Sequence, residues 1–194
     1  MNFLEFQKRA AALPETAGLK LERALIWMHP ELLPLGVVSL TNKNEKSVKI
    51  PDSAVNEYGF RVRIIKFQSK TFAGNEEIEE VILPPGIWNV PAGAFEGCKN
   101  LKRITLPRKI GEIGEGAFRG CETLEDVYYE GTPEDWIERK IVHQKHEIEF
   151  GELLPGSPAA EILAERWVPI PGNEALFQAT LHFRCDLASL YPEA

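Results

Sequence analysis

The sequence of 194 residues lacks a long hydrophobic run. A membrane-spanning helix needs about 18 consecutive apolar residues, and the longest apolar stretches, such as residues 24–28, are far shorter. We therefore expect no insertion into a membrane. Residues 1–11 carry charges at Glu5, Lys8 and Arg9, which interrupt the apolar segment that a secretory signal requires. With Met1 as the native start, this pattern predicts a cytoplasmic protein.

The sequence also lacks an excess of basic residues and a large set of cysteines. Lys and Arg number 22 against 29 Asp and Glu, which gives a formal net charge of -7 and argues against a nucleic-acid partner, since phosphate binding needs a basic face. Cys98, Cys121 and Cys185 are an odd count and too few for a disulfide framework. Reduced thiols are the expected state.

What the sequence does contain is an internal repeat. The motif Gly-Ala-Phe-x-Gly-Cys-x-x-Leu occurs at residues 93–101 and again, 23 positions later, at residues 116–124. A fixed period of this length is typical of solenoids built from stacked structural units. The apolar positions recur in three frames: Val55, Tyr58, Phe60, Ile64, Phe67 and Phe72; Ile78, Val81, Leu83, Ile87, Val90 and Phe95; Leu101, Ile104, Leu106, Ile110, Ile113 and Phe118.

The repeat is interrupted after Leu124 and resumes near the C-terminus. Trp136 falls where the previous frames have Val90 and Ile113, but no corner motif follows it. The segment at residues 172–181 matches again when Leu176 is aligned with Leu101, which implies an insertion of about 29 residues. The aligned positions are Gly172, Asn173, Leu176, Ala179 and Leu181.

Each frame predicts one coil with a short parallel strand. In the strand, Ile104 and Leu106 point inward while Arg103 and Thr105 point outward, because side chains alternate along a strand. Pro84 and Pro107 end their strands, since proline cannot donate to the ladder. The positions equivalent to the two repeat cysteines, namely Asn75, Cys98, Cys121 and Asn173, should form a buried ladder about one strand spacing apart.

These residues resemble the BspA-type leucine-rich repeat family of bacterial proteins. The resemblance rests on the Ala-Phe-x-Gly-Cys-x-x-Leu corner, the Ile-x-Leu-Pro strand, the segment Tyr129–Trp136 and the ending Ala179–Phe183. It covers about Gly36 to Cys185 apart from the insertion. It implies an α/β-type repeat solenoid with a narrow parallel sheet, and a binding or adhesion module, often at cell surfaces, with no shared catalytic residues. Display at a cell surface requires an export signal, and the charged residues 1–11 differ from such a signal.

The sequence outside the coils predicts helices. We interpret residues 1–35 as an N-terminal helical cap, with one helix capped by Asn2 and a second from Thr16 to His29. Leucine-rich repeat coils follow at residues 36–137. Thr132 and Pro133 begin a short helix, and Ser157 begins another within the insertion at residues 138–168. Residues 169–194 complete the last coil and a C-terminal cap.

The outward strand positions form the candidate binding face. They combine a mixed charged column with a column that contains an exposed Ile and Tyr, a composition that suits recognition of a peptide or protein and is equally typical of any solvated sheet. The first frame would add Glu57 and Gly59. The predicted binding residues are Glu80, Ile82, Arg103, Thr105, Asp126, Tyr128, Gln178 and Thr180.

The sequence therefore favours a non-enzymatic module that binds a protein or peptide through this face or through the insertion, where it could also self-associate. The alternative is a small metal-dependent enzyme or hydrolase with its site in the insertion. His143 and His146 lie beside Glu147 and Glu149 there. The order differs from that of zinc proteases, and no second cluster supplies further ligands. We expect no cofactor and no metal.

Overall fold

A five-stranded parallel sheet runs through the repeat region of the computed structural model, which describes residues 2–5, 8, 19–23, 35–40, 44–56, 58–138, 143–145 and 167–191. The strand order is β13-β10-β8-β6-β3. Glu80 pairs with Arg103, and Arg103 with Asp126, so the 23-residue period of the sequence is the step from one coil to the next. The strands are β3 (Ser47–Lys49), β6 (Glu80–Ile82), β8 (Arg103–Leu106), β10 (Asp126–Tyr129) and β13 (Thr180–His182).

The return limbs and corners of the coils stack in the same register. Two short strands, β7 (Asn89–Val90) and β9 (Glu112–Ile113), pair in parallel on the side opposite the sheet. At the corners, the Phe95 ring stacks on Phe72 at 5.1 Å and on Phe118 at 5.3 Å between centroids. The inward residues are fully buried, so the predicted repeat core is confirmed from Ile78 to Leu124.

The first frame is only half correct, because its strand residues lie on a hairpin that leaves the coil. Strands β4 (Ser53–Val55) and β5 (Arg61–Phe67) pair antiparallel. At the turn, the Asn56 side chain accepts hydrogen bonds from the backbone N–H groups of Tyr58 and Phe60. Ser47, rather than the predicted residue 57, pairs with Glu80. From Ile64 onward the frame is right, since Ile64, Phe67 and Phe72 are buried.

The second N-terminal helix predicted from Thr16 to His29 is wrong in its described part. Residues Leu19–Arg23 form strand β1, which pairs antiparallel with β2 (Leu35–Leu40). Strand β2 in turn pairs with β5. The alternation of Leu19, Lys20, Leu21 and Glu22 suits a strand, and a ladder partner outweighs the helix propensity. The first helix is present at Phe3–Glu5, where Asn2 accepts a hydrogen bond from the Glu5 N–H at 2.9 Å.

The insertion begins and ends close to the solenoid. Helix α1 (Pro133–Glu138) has the predicted cap, with Thr132 and Asp135 exchanging side-chain to backbone hydrogen bonds. Strand β11 (His143–Lys145) then pairs antiparallel with β12 (Trp167–Pro169), which brings the two ends of the excursion together. The helix predicted from Ser157 lies outside the described residues.

The last coil is displaced by two residues from its predicted register. Helix α2 (Glu174–Gln178) precedes β13, and Asp126 pairs with Thr180 where the sequence alignment had placed Gln178. Asn173 is buried beside the corner, where its Oδ1 accepts the Phe118 N–H and its Nδ2 donates to the Gly114 carbonyl. A 3-10 turn at Ala188–Leu190 follows.

Candidate functional site

The sheet face predicted to bind a partner is buried. Glu80, Ile82, Thr105 and Tyr128 have no exposed surface, and Arg103 and Asp126 retain only 8% and 6%. Of the eight predicted residues, only Gln178 and Thr180 are exposed. The prediction that the outward columns form an open face is therefore wrong. These columns are Ser47, Glu80, Arg103, Asp126 and Thr180, and Lys49, Ile82, Thr105, Tyr128 and His182.

The buried polar groups on this face bond to one another. Arg103 Nε lies 2.9 Å from Glu80 Oε1, and His182 Nε2 lies 2.7 Å from Asp126 Oδ1. The His182 ring stacks on Tyr128 with 4.7 Å between centroids. Burial, reinforced by the nearby Asp126 carboxylate, raises the pKa of Tyr128 above its ordinary value. Glu80, Arg103 and Asp126 are thus paired beneath the surface, whereas a quarter of the His182 side chain is exposed.

The chain's own C-terminal segment covers the face. Cys185, Leu187 and Leu190 pack with Ile82 and Tyr128 in a second hydrophobic cluster. The Phe3 ring adds to this cover at 5.6 Å from Tyr128, so the described start of the N-terminal helix contacts the sheet face. The apolar residues Ile82 and Tyr128 in an outward column were a signal in the sequence that something must cover them.

Tyr191 fixes the end of this C-terminal segment. Its hydroxyl donates to the carbonyls of Ile50 and Ile82 at 2.9 and 3.3 Å, where strands β3 and β6 end. The ammonium group of Lys49 lies 4.9 Å from the centre of the Tyr191 ring, a cation–π contact. The segment is therefore held by directional bonds as well as by apolar packing.

The repeat cysteines are structural thiols. Cys98 Sγ donates to the Phe72 carbonyl at 3.1 Å, and Cys121 Sγ donates to the Phe95 carbonyl at 3.2 Å, so each thiol bonds to the preceding coil. All three cysteines are free and buried. Burial raises the pKa of Cys98 to about 11 and those of Cys121 and Cys185 to about 12. A nucleophilic thiol needs the opposite shift, toward the thiolate.

An open cleft lies at the carboxyl ends of the parallel strands, an arrangement that sequence reasoning missed. It has a volume of about 500 Å³. One wall is the base of the β4–β5 hairpin, and the turns that follow β6, β8 and β10 form the floor. The lining residues are Asp52, Arg63, Pro85, Arg108, Lys109, Glu130 and Tyr191. Because the hairpin contributes Asp52 and Arg63, the cleft could not be located until the hairpin was known.

The charges around the cleft differ in how well they are paired. Glu130 accepts a hydrogen bond from the Arg108 backbone N–H at 2.9 Å, and the Arg108 guanidinium contacts Asp135 at 3.2 Å. Within the part of the chain that the structure describes, Arg63 and Lys109 make no ion pair. Both side chains belong to exposed residues. The cleft therefore presents two cations to solvent on a chain of net charge -7.

Neither a metal centre nor a membrane span is found in the described ranges. No three His, Cys, Asp or Glu side chains there are placed to hold a metal ion. Of the predicted metal candidates, His143 lies in β11, whereas His146, Glu147 and Glu149 lie outside the described residues. No helix among the described residues has the length and apolar character needed to cross a bilayer.

The repeat region matches a known family. A family model described as "BspA type Leucine rich repeat region (6 copies)" matches residues 41–135. The coil period, the corner motif and the parallel sheet agree with that match, so residues 41–135 are similar to a BspA-type leucine-rich repeat region, as the sequence motifs predicted. Such repeats suggest a protein-interaction module built on a scaffold that is typically non-enzymatic. No curated protein sequence matches the chain.

A solved structure of a bacterial leucine-rich repeat protein shares the fold, and further structures are similar to this chain. A leucine-rich repeat protein of T. pallidum matches with 22% identity and a TM-score of 0.50, over 60% of this chain and 53% of its own length. One from Bacteroides ovatus matches with 19% identity and a TM-score of 0.45, over 56% of this chain and 30% of its own. A leucine-rich cell surface protein of Faecalibacterium prausnitzii has 18% identity, a TM-score of 0.44 and coverages of 64% and 41%. This chain thus spans about half or less of these proteins.

Proposed function

We propose that the chain is a non-enzymatic interaction module whose partner binds at the β4–β5 hairpin. The observation that carries the proposal is the exposure of three large apolar residues at this hairpin, where Val55 is 59% exposed, Tyr58 47% and Phe60 44%. Large apolar and aromatic side chains of this kind are enriched at the centres of protein interfaces. The sheet face is covered by the chain itself, which leaves the hairpin as the better candidate.

The hairpin is an addition to the coil and not a requirement of it. The paired residues Ser47 and Glu80 are 33 positions apart in the sequence, whereas Glu80 and Arg103 are 23 apart. The extra residues expose apolar side chains to solvent, which is unfavourable and is not required for the coils to stack. In repeat proteins such insertions collect on one face, often the face that binds.

The partner that fits this surface is a protein segment with apolar and acidic residues. Strand β5 carries Arg61 next to the apolar tip and Arg63 at the hairpin base, and Lys109 lies across the cleft. A positive edge on an acidic protein steers an acidic partner toward it.

The proposal extends to a cytoplasmic location, which three buried free thiols support. Self-association through residues 138–168 stays a prediction.

A peptide-display selection tests the proposal. We expect the purified chain to enrich peptides that contain an aromatic or aliphatic residue next to Asp or Glu, and these peptides to lose binding when Val55, Tyr58 and Phe60 are all replaced by Ser. The Phe177→Ser variant is the matched control, because Phe177 is 52% exposed on helix α2 in the last coil. Selected peptides that bind the triple variant as well as the wild type would refute the hairpin assignment.

A further inference from the structure

The cleft and the hairpin tip form two parts of one edge. Asp52 and Arg63, which line the cleft, lie at the base of the hairpin, where Ser53 pairs with Arg63. Val55 and Phe60 lie at the other end of the same two short strands. Val55 at the tip is three positions from Asp52 in the cleft, so one partner segment can reach both.

The two unpaired cations of the cleft differ from several charges of the repeat region that are paired between coils. On the amino-terminal side of the strands, Glu79 contacts Lys46 at 2.9 Å and Lys102 at 3.0 Å. At the corners, Lys99 contacts Glu76 at 2.7 Å. Arg63 and Lys109 have no such ion pair in the described ranges, although both face the same cavity. An unpaired pair of cations in a concave site attracts an anionic group more strongly than isolated surface cations do.

The acidic residues of the cleft restrict the charge of that anion. Asp52 and Glu130 also line it, so the five charged side chains sum to a single positive charge. One negative charge balances this lining, whereas a phosphate dianion would leave the cleft with an excess of one negative charge. The size of the cleft, about 500 Å³, admits a side chain together with the backbone on either side of it.

We propose that the cleft holds the carboxylate of an Asp or Glu side chain of the partner, between Arg63 and Lys109. This inference rests on the proposed function, since the same segment would place its apolar residue on the hairpin tip. The Tyr191 ring forms part of the wall, and its hydroxyl is already committed to the carbonyls of Ile50 and Ile82. Tyr191 therefore shapes the cleft, and the two cations supply the recognition.

An NMR titration with three probes tests the assignment. The probes are acetyl-Glu-Ala-Phe-amide, its Gln counterpart and inorganic phosphate, each added to isotope-labelled protein. We expect the Glu peptide to shift the backbone signals of Arg63, Lys109 and Tyr191, and the Gln peptide to bind about tenfold more weakly, as the loss of a charge-assisted contact implies. Phosphate that shifts these signals at lower concentration than the Glu peptide would overturn the carboxylate assignment.

Variants separate this inference from the function on which it rests. The double variant Arg63→Gln/Lys109→Gln should lose the preference for Glu over Gln, whereas Lys99→Gln, which removes an exposed lysine away from the cleft, should keep it. Unchanged melting of the double variant checks that it is folded. If the double variant keeps the preference while the hairpin variant loses all binding, the cleft assignment is wrong and the proposed function stands. If Lys99→Gln also loses the preference for the Glu peptide, that preference depends only on the overall charge of the protein. This result would also overturn the assignment.

Discussion

The exposure of apolar side chains differs between the regular coils, from Ile78 to Glu130, and the hairpin that precedes them. In the regular coils, the inward positions are fully buried and the outward ones lie beneath the C-terminal segment. In the hairpin, Val55, Tyr58 and Phe60 are among the most exposed apolar residues of the described chain. The repeat thus buries its apolar side chains, whereas the hairpin that breaks the repeat leaves three of them 44–59% exposed, which is why we propose it as the binding surface.

Charges differ in how they are paired. Several charges of the regular coils are paired between neighbouring turns, as Glu79 is with Lys102 and Glu80 with Arg103. At the cleft, Lys109 of the regular coils and Arg63 of the hairpin base make no ion pair among the described residues. Pairing across coils stabilises the stack, and the absence of pairing at the cleft is what makes it a candidate for binding.

The largest contrast should appear when one phenylalanine is removed from each region. Phe95→Ala should lower the free energy of unfolding by about 3–5 kcal/mol, because the ring is fully buried between Phe72 and Phe118. Phe60→Ala at the hairpin should change it by less than about 1 kcal/mol. Urea denaturation followed by circular dichroism measures both. Equal losses would mean that the hairpin tip belongs to the core.

A somewhat smaller effect is expected for the buried ion pair of the sheet face. Arg103→Met should cost about 3 kcal/mol, because it leaves the fully buried Glu80 carboxylate without its cation. The control is Arg119→Met, which removes an ion pair with Glu96 from a side chain that is 54% exposed. That change should cost less than about 1 kcal/mol. Thermal melting of both variants tests the difference, and similar melting temperatures would contradict burial of the face.

The second interruption of the repeat should be removable at little cost. Because β11 and β12 pair antiparallel, residues 146–166 can be replaced by Asn-Gly, which closes a two-residue hairpin between Lys145 and Trp167. Loop-closure entropy changes by only about 0.6 kcal/mol for each doubling of length. We expect a folded chain with stability within about 1 kcal/mol of the wild type and a single cooperative transition. Unfolding would place residues 146–166 in the core, and loss of an oligomer by light scattering would support self-association there.

The smallest effect concerns the surface ion pairs that Glu79 makes with Lys46 and Lys102. Hydrogen bonds from Lys46 and then Lys102 lower the pKa of Glu79 to about 2. A carboxyl whose pKa is lowered by folding stabilises the native state above its ordinary pKa of 4.5 and loses that contribution as pH falls toward 2. Both lysines are solvent-exposed, so the contribution is small. In the Glu79→Gln variant, the free energy of unfolding should change slightly less with pH between pH 4.5 and 2 than in the wild type. Identical pH dependence would show that water fully screens the ion pairs of Glu79.

The positions that repeat from coil to coil were predicted correctly from the sequence. Phe95 and Phe118 recur at the period, and so do Cys98 and Cys121, because each coil must place the same side chain against the same neighbour. The sequence predicted poorly where the period breaks. Val55, Tyr58 and Phe60 fit the apolar pattern of a strand but lie on a hairpin, although Asn56 and Gly59 are residues typical of turns. The last coil was displaced by two residues because helix α2 changes the length of its corner.

By itself the sequence determined the solenoid, its 23-residue step, the buried thiols and the cap of helix α1, since these depend on local patterns and on contacts between identical neighbours. Only the tertiary structure decided which surfaces are open. Leu187, Leu190 and Tyr191 are far along the chain from the strands that they cover, and Arg63 is distant in sequence from Lys109 across the cleft. Contacts of this kind follow from how the chain ends and the added hairpin fold back, and no period encodes them.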